Sequence, residues 1–105
     1  MAEGRPLKLI EHPAFTEWVS ALRDRRTRFI IDARVRRLAG GNTGDSKSVG
    51  HGVHELRVNH GPGYRIYFAQ RANVTILLLC AGDKSTQSRD IERAKRLLEA
   101  QGDWP

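Results

Sequence analysis

Three runs between Val53 and Cys80 carry the clearest alternation in the chain. The first is Val53-His54-Glu55-Leu56-Arg57-Val58, closed by the turn Asn59-His60-Gly61-Pro62-Gly63. The second is Tyr64-Arg65-Ile66-Tyr67-Phe68-Ala69, with a break at Arg71-Ala72-Asn73. The third is Val74-Thr75-Ile76-Leu77-Leu78-Leu79-Cys80, followed by the loop Ala81-Gly82-Asp83-Lys84-Ser85-Thr86. The pattern predicts three consecutive antiparallel strands. Side chains two apart share a face of a strand. Leu56 and Val58 therefore lie together, with His54 beside them, and Tyr64, Ile66 and Phe68 lie together. Glu55, Arg57, Arg65 and Tyr67 fall on the opposite face. The third run is apolar on both faces, which suits a central strand. The expectation is a sheet with one face buried under helices and polar groups fixed on the other.

Around this sheet the periodicity turns helical. Leu7–His12 reads as a short first strand, ended by Pro13, which opens a helix at its first position. Phe15, Trp18, Val19 and Leu22 repeat at i, i+3, i+4 and i+7, one apolar stripe. Asp24 is a candidate N-cap for a second helix over Arg25 to Ala39, with Ile31, Val35, Leu38 and Ala39 as its apolar stripe and Phe29 and Ile30 flanking it. The two helices form a hairpin able to cover the sheet. Gly40 to Gly52 reads as a long glycine-rich loop without a phosphate-loop pattern. The Ser85-Thr86 capping signal opens a third helix with the stripe Ile91, Ala94, Leu97 and Leu98, stopped at Gly102. The tail Asp103-Trp104-Pro105 has no assigned place. The order is β-α-α-β-β-β-α, an α+β fold: a twisted antiparallel sheet with an N-terminal helical hairpin and a C-terminal helix.

The 105 residues allow one domain, 1–105, and no second core. No apolar run reaches the length of a membrane span, and Met-Ala-Glu-Gly-Arg has no apolar signal core, so the expected location is cytoplasmic. A single cysteine, Cys80, excludes an internal disulfide framework and a cysteine-rich metal site. The four histidines have no metal spacing, and no cofactor is implied. A net charge of +6 and a pI near 10.2 change the picture more. They favour a polyanionic partner, either nucleic acid or an acidic protein.

A small basic domain with arginines on a sheet face suits metal-free RNA cleavage, in which a 2′-hydroxyl attacks the neighbouring phosphate. That step needs a base, an acid for the leaving 5′-oxygen, and cations for the charge building on the phosphate. Arg57 and Arg65, from adjacent strands, and Lys84, at the end of the third, are placed to surround one phosphate. Glu55 is a candidate base or a salt-bridge partner of Arg57, and Tyr67 a stacking or proton-orienting group or a core tyrosine. Lys47, His51 and His60 lie in loops where a substrate is gripped. Arg34 and Arg37, in the arginine run of the second helix, face either phosphates or an acidic peptide.

Glu55-Leu56-Arg57, Gly61-Pro62-Gly63-Tyr64-Arg65-Ile66-Tyr67-Phe68, Leu77-Leu78-Leu79-Cys80-Ala81-Gly82-Asp83-Lys84-Ser85-Thr86-Gln87, Asp90-Ile91 and Ala94-Lys95 together resemble the RelE/ParE toxin superfamily. They are closest to its HigB-like branch, often labelled "addiction module killer protein". The likeness covers roughly residues 7 to 100. It implies a helical hairpin packed on a twisted antiparallel sheet with a C-terminal helix. It also implies the toxin of a type II toxin–antitoxin system, a ribosome-dependent mRNA interferase (endoribonuclease) that inhibits translation. The implied partners are messenger RNA on the ribosome and a cognate antitoxin, usually a helix-turn-helix protein. Arg65 matches the arginine of the family's Gly-Tyr-Arg strand, Arg57 lies near a strand lysine, and Lys84 matches a basic residue after the last strand. RelE-type enzymes also carry a catalytic tyrosine in the C-terminal segment, and here no tyrosine follows Tyr67. Histidines or Glu55 then substitute, or the target differs. The alternatives are a ParE-like inhibitor of DNA gyrase and a catalytically inactive basic binding module.

Overall fold

The structure, a computed structural model, describes residues 6–72 and 74–104. The expectations for Met1 to Arg5, Asn73 and Pro105 lie outside the described residues. The elements in chain order are β1 (Lys8–Glu11), α1 (Pro13–Ser20), α2 (Arg25–Ala39), β2 (Ser46–Gly50), β3 (Val53–Val58), β4 (Tyr64–Arg71), β5 (Thr75–Asp83), a 3-10 turn at Lys84–Thr86, and α3 (Gln87–Gln101). The strands form one sheet in the order β1-β5-β4-β3-β2.

Local chemistry sets the helix ends. Pro13 supplies a fixed φ and no donor at the start of α1, while the Ala14 amide donates to His12 Nδ1 at 3.0 Å. Asp24 caps α2, accepting from the Arg26 amide at 3.1 Å and the Thr27 hydroxyl at 2.8 Å. Those hydrogen bonds, the Thr27 hydroxyl's first, hold the Asp24 carboxyl below its ordinary pKa. Thr86 stands at the N-cap of α3, but its hydroxyl donates to Asp90 and does not accept from a backbone amide of the helix. The 3-10 turn before it is capped by Asp83, which takes the Ser85 amide at 2.8 Å and the Ser85 hydroxyl at 2.6 Å.

The hairpin covers one face of the sheet. Phe15, Ile31, Val35 and Leu38 pack there on Leu56, Val58, Ile66, Phe68, Ile76 and Leu78. The strand parities expected from the alternation hold, and His54 stacks on Phe68 at 5.3 Å.

Four features differ from the sequence expectation. First, the glycine-rich loop contains β2, an edge strand paired antiparallel to β3 with an irregularity between Ser48 and Gly50. Second, β1 runs parallel to β5, so the sheet is mixed rather than wholly antiparallel. Third, β5 continues past Cys80 to Asp83, paired with β4 on both sides of a register shift between Tyr67 and Phe68. Fourth, α3 covers the second face, burying Val53, Tyr67, Ala69, Leu77, Leu79 and Ala94. Gly82 permits this approach, because a Cβ there would collide with Asp90 Oδ2 and Thr86 Oγ1 of the α3 start. The unplaced tail also joins this layer. Trp104 is buried, its carbonyl accepts from Arg71 Nη1, and the Arg71 guanidinium lies 5.2 Å from its ring centre.

Candidate functional site

The face under α3 is polar at one end, and the register shows how its residues line up. Glu55 sits between Lys47 and Tyr67 across neighbouring strands, and Arg65 sits between Arg57 and Gly82. Lys47, Glu55, Arg57, Arg65 and Tyr67 thus share one face, and Lys84 follows directly on the end of β5. Like charges directly opposite each other across a ladder are unfavourable. The Arg57–Arg65 pair therefore concentrates cationic potential at a stability cost.

Burial divides these residues. Glu55 and Tyr67 are 0% exposed and Arg65 is 9% exposed, whereas Arg57, Lys47 and Lys84 are exposed. Glu55 Oε2 accepts the Tyr67 hydroxyl at 3.1 Å and the Gln87 side-chain amide at 2.8 Å, and it lies 3.9 Å from Arg65 Nε. Arg65 Nη1 donates to the Gly63 carbonyl at 2.8 Å. A Cβ on Gly63 would lie 3.2 Å from Arg65 Nη1 and 3.6 Å from Lys84 Cβ, so this glycine brings the turn, Arg65 and Lys84 close together. Burial, then the neighbouring Glu55 carboxylate, pushes the Tyr67 phenol well above its ordinary value of 10.0. In this structure Glu55 and Tyr67 hold each other beneath α3, and Glu55 pairs toward Arg65 rather than Arg57. They orient the arginine and do not face solvent.

The exposed cations continue toward β2. Gly44, Asp45, Ser46, Lys47, Arg57 and Asn59 line an open cleft of about 280 Å³. Arg34 and Arg37 line a smaller one of about 140 Å³ that shares Gly44 and Asp45. Arg34 Nη2 lies 3.4 Å from Asp45 Oδ2, and the Asp45 carbonyl accepts the Arg57 amide at 3.1 Å. Lys47, Arg57, Arg34 and Arg37 are thus brought together around one acidic residue. Lys84 lines a separate recess with Ser85, Thr86, Gln87, Ser88 and Arg89.

Two of the histidines sit elsewhere. His51 occupies the β2–β3 turn with φ 54, in the left-handed region, and lines a groove with Glu92, Lys95, Arg96, Leu98 and Glu99. It does not join the arginines. His60 lies in the β3–β4 turn with Nε2 3.1 Å from Thr27 Oγ1. The Thr27 hydroxyl already donates to Asp24, so His60 Nε2 is the donor and the Nδ1 side of a neutral ring is left as acceptor. His60 is oriented by α2 rather than free to swing.

Gln87, Asn59, Asp45 and Thr27 were not singled out as site residues by the sequence. Asp24 and Ser85-Thr86 carried capping signals, but nothing in the spacing marks Gln87 as a partner of Glu55. Burial lifts the Cys80 thiol to about 12, in keeping with a small core residue. Among the described residues no group of three or more His, Cys, Asp or Glu could hold a metal ion, and no helix is long and apolar enough to cross a membrane.

The chain is similar to known proteins in sequence and in fold. A family model described as "Phage derived protein Gp49-like (DUF891)" matches residues 17–99. An uncharacterized protein of Haemophilus influenzae is 48% identical over 88 residues, covering 84% of this chain and 89% of that protein. Among solved structures, a mutant of the E. coli toxin RelE in the free state superposes with a TM-score of 0.70 at 14% identity, covering 88% of this chain and 98% of that one. The fold is RelE-like.

Proposed function

We propose that this chain, which belongs to the family of phage-derived Gp49-like proteins, is the toxin of a type II toxin–antitoxin pair. In this reading it acts in the cytoplasm as a metal-independent endoribonuclease on ribosome-bound messenger RNA, with an antitoxin, of the helix-turn-helix kind in a HigB-like pair, as its second partner. The observation that carries the reading is the cation set on one rigid face: Arg57 and Arg65 paired across β3 and β4, with Lys84 at the end of β5. The RelE-like fold supports it, since the matched E. coli protein is a toxin.

Arg57, Lys47, Arg34 and Arg37 hold the phosphates that flank the scissile one, and Lys84 approaches from the other side. Arg65, held in a low-dielectric setting by Glu55 and the Gly63 carbonyl, stabilises the charge that builds when the 2′-hydroxyl attacks. A preorganised contact of this kind is worth about 3 kcal/mol, roughly a hundredfold in rate. Glu55 and Tyr67 act through Arg65 as positioning residues. Proton transfer then falls to a group outside that buried pair.

The burial of Glu55 and Tyr67 also favours a second reading, a ParE-like gyrase inhibitor with no need of an acid–base pair. Messenger RNA integrity after brief expression in a bacterium separates the two. Cleavage within translated frames, lost with Arg65→Ala, supports the nuclease. Growth arrest with intact transcripts sinks it and selects gyrase. Harmless expression without a partner selects an inactive binding module.

A further inference from the structure

Phe29 is 70% exposed, although it sits in the middle of α2. Leu38, nine residues further on, is 0% exposed. At about 100° per residue, nine residues bring the chain half a turn round, so Phe29 stands directly opposite the core stripe. Its neighbours on that outer surface are Arg25 and Arg26 one turn before, Asp32 and Ala33 one turn after, and Arg36 two turns after. Arg25, Arg26 and Arg36 are all exposed. The helix carries six arginines and one aspartate, Asp32, which pairs with Arg36. This surface belongs to the hairpin layer, on the other side of the sheet from Glu55 and Tyr67.

We propose that the outer face of α2 docks an acidic, amphipathic helical segment of a partner protein, with Phe29 as its apolar anchor and Arg25 and Arg26 pairing with carboxylates. A solvated phenylalanine adds nothing to the core, while aromatic and arginine side chains are the residues on which protein interfaces concentrate their energy. Apolar and cationic groups lie along one stripe at one-turn spacing, so they complement a helix with carboxylates one turn apart around an apolar residue. The surface is convex, whereas the cleft suited to phosphate lies beside Lys47 and Arg57. The docking face stands independently of the nuclease reading; only the partner's identity as an antitoxin rests on it.

The test pans a phage-displayed library of random peptides against the folded full chain. Binding of the selected peptides is then measured on wild type, Phe29→Ser, Arg25→Ser and Arg65→Ala, with fluorescein-labelled oligouridine in parallel. Acidic peptides with apolar residues at helical spacing are expected, losing at least about tenfold in affinity with Phe29→Ser, less with Arg25→Ser, and nothing with Arg65→Ala. Phe29 is exposed, so its replacement leaves the fold intact, which circular dichroism checks. An empty selection, or peptides indifferent to Phe29→Ser, overturns the proposal. Oligouridine, rather than peptide, losing tenfold with Phe29→Ser also overturns it and makes the face a nucleic-acid surface. Peptide binding that persists while transcripts stay intact in the expression experiment leaves the docking face standing and removes the nuclease.

Discussion

The two faces of the sheet are built by different rules. Under the hairpin, Leu56, Val58, Ile66, Phe68, Ile76 and Leu78 meet Phe15, Ile31, Val35 and Leu38 in an apolar layer. Under α3, the far end is equally apolar, but the near end buries a carboxylate, a phenol and a guanidinium in contact. An apolar layer stabilises in proportion to the area it hides. A buried ionic group gives little net stability and is strongly destabilising only when one partner is removed. In this fold the hairpin face holds the sheet together, and the α3 face spends part of that stability on fixing the direction of Arg65.

The largest effect expected from this contrast is on the apolar side. Leu38→Ala removes a fully buried side chain and is expected to destabilise by about 4 kcal/mol, read from urea unfolding. Whatever activity the protein has per folded molecule should survive, because Leu38 touches none of the polar network. Loss of activity beyond the loss of folded protein would show that the two faces are coupled.

The next effect breaks the polar side. Glu55→Ala leaves the Arg65 guanidinium buried without its counter-charge and is expected to cost about 3 kcal/mol. Changing both, Glu55→Leu with Arg65→Met, is expected to regain most of that stability while abolishing transcript cleavage. A double variant no more stable than Glu55→Ala would mean that the network is a structural staple rather than a mount for Arg65.

How much of this was legible in the sequence follows from what each signal encodes. Alternation gave the strands and their parities because burial has a period of two, and the Ile31–Val35–Leu38 stripe marked α2. β2 was hidden because Ser46-Lys47-Ser48-Val49-Gly50 has no apolar alternation; it becomes a strand by taking the free edge of β3. Parity also assigns Glu55 and Tyr67 to a face without saying what covers it. The clue was β5, apolar on both sides, since a strand of that kind requires cover on both. The direction of β1 beside β5 has no local signature. The pairing of Arg57 with Arg65 was legible through strand register, but the link through Gln87 joins residues 32 apart in sequence and depends on where α3 lands.

Tyr67→Phe sharpens the contrast within the polar end. It deletes one hydrogen bond and leaves Glu55 held by Gln87, an expected loss of about 1 kcal/mol at neutral pH. The pH dependence tests the same contact. The fold keeps the phenol protonated well above 10.0, while the unfolded chain releases its proton near that value. Stability is therefore complete below about pH 10 and declines as the pH rises further, because the unfolded state alone gains from ionisation. Tyr67→Phe should flatten that alkaline decline. A wild-type decline that is unchanged in the variant would place the titrating group elsewhere.

The smallest effect on stability is expected at Arg57, and it separates the two ends of the polar row. Arg57 shares the face and register of Arg65 but is exposed, and its backbone amide donates to the Asp45 carbonyl. Arg57→Ala should therefore change unfolding free energy by no more than about 0.5 kcal/mol. Moving a cation away from the opposing Arg65 offsets part of the lost packing of its stem. If the open end of the row is the working end, the same substitution lowers transcript cleavage by roughly a hundredfold, as expected for one preorganised contact to developing charge. A variant that cleaves as wild type would confine the chemistry to Arg65 and Lys84, and a variant that unfolds easily would make Arg57 part of the mount instead of part of the grip.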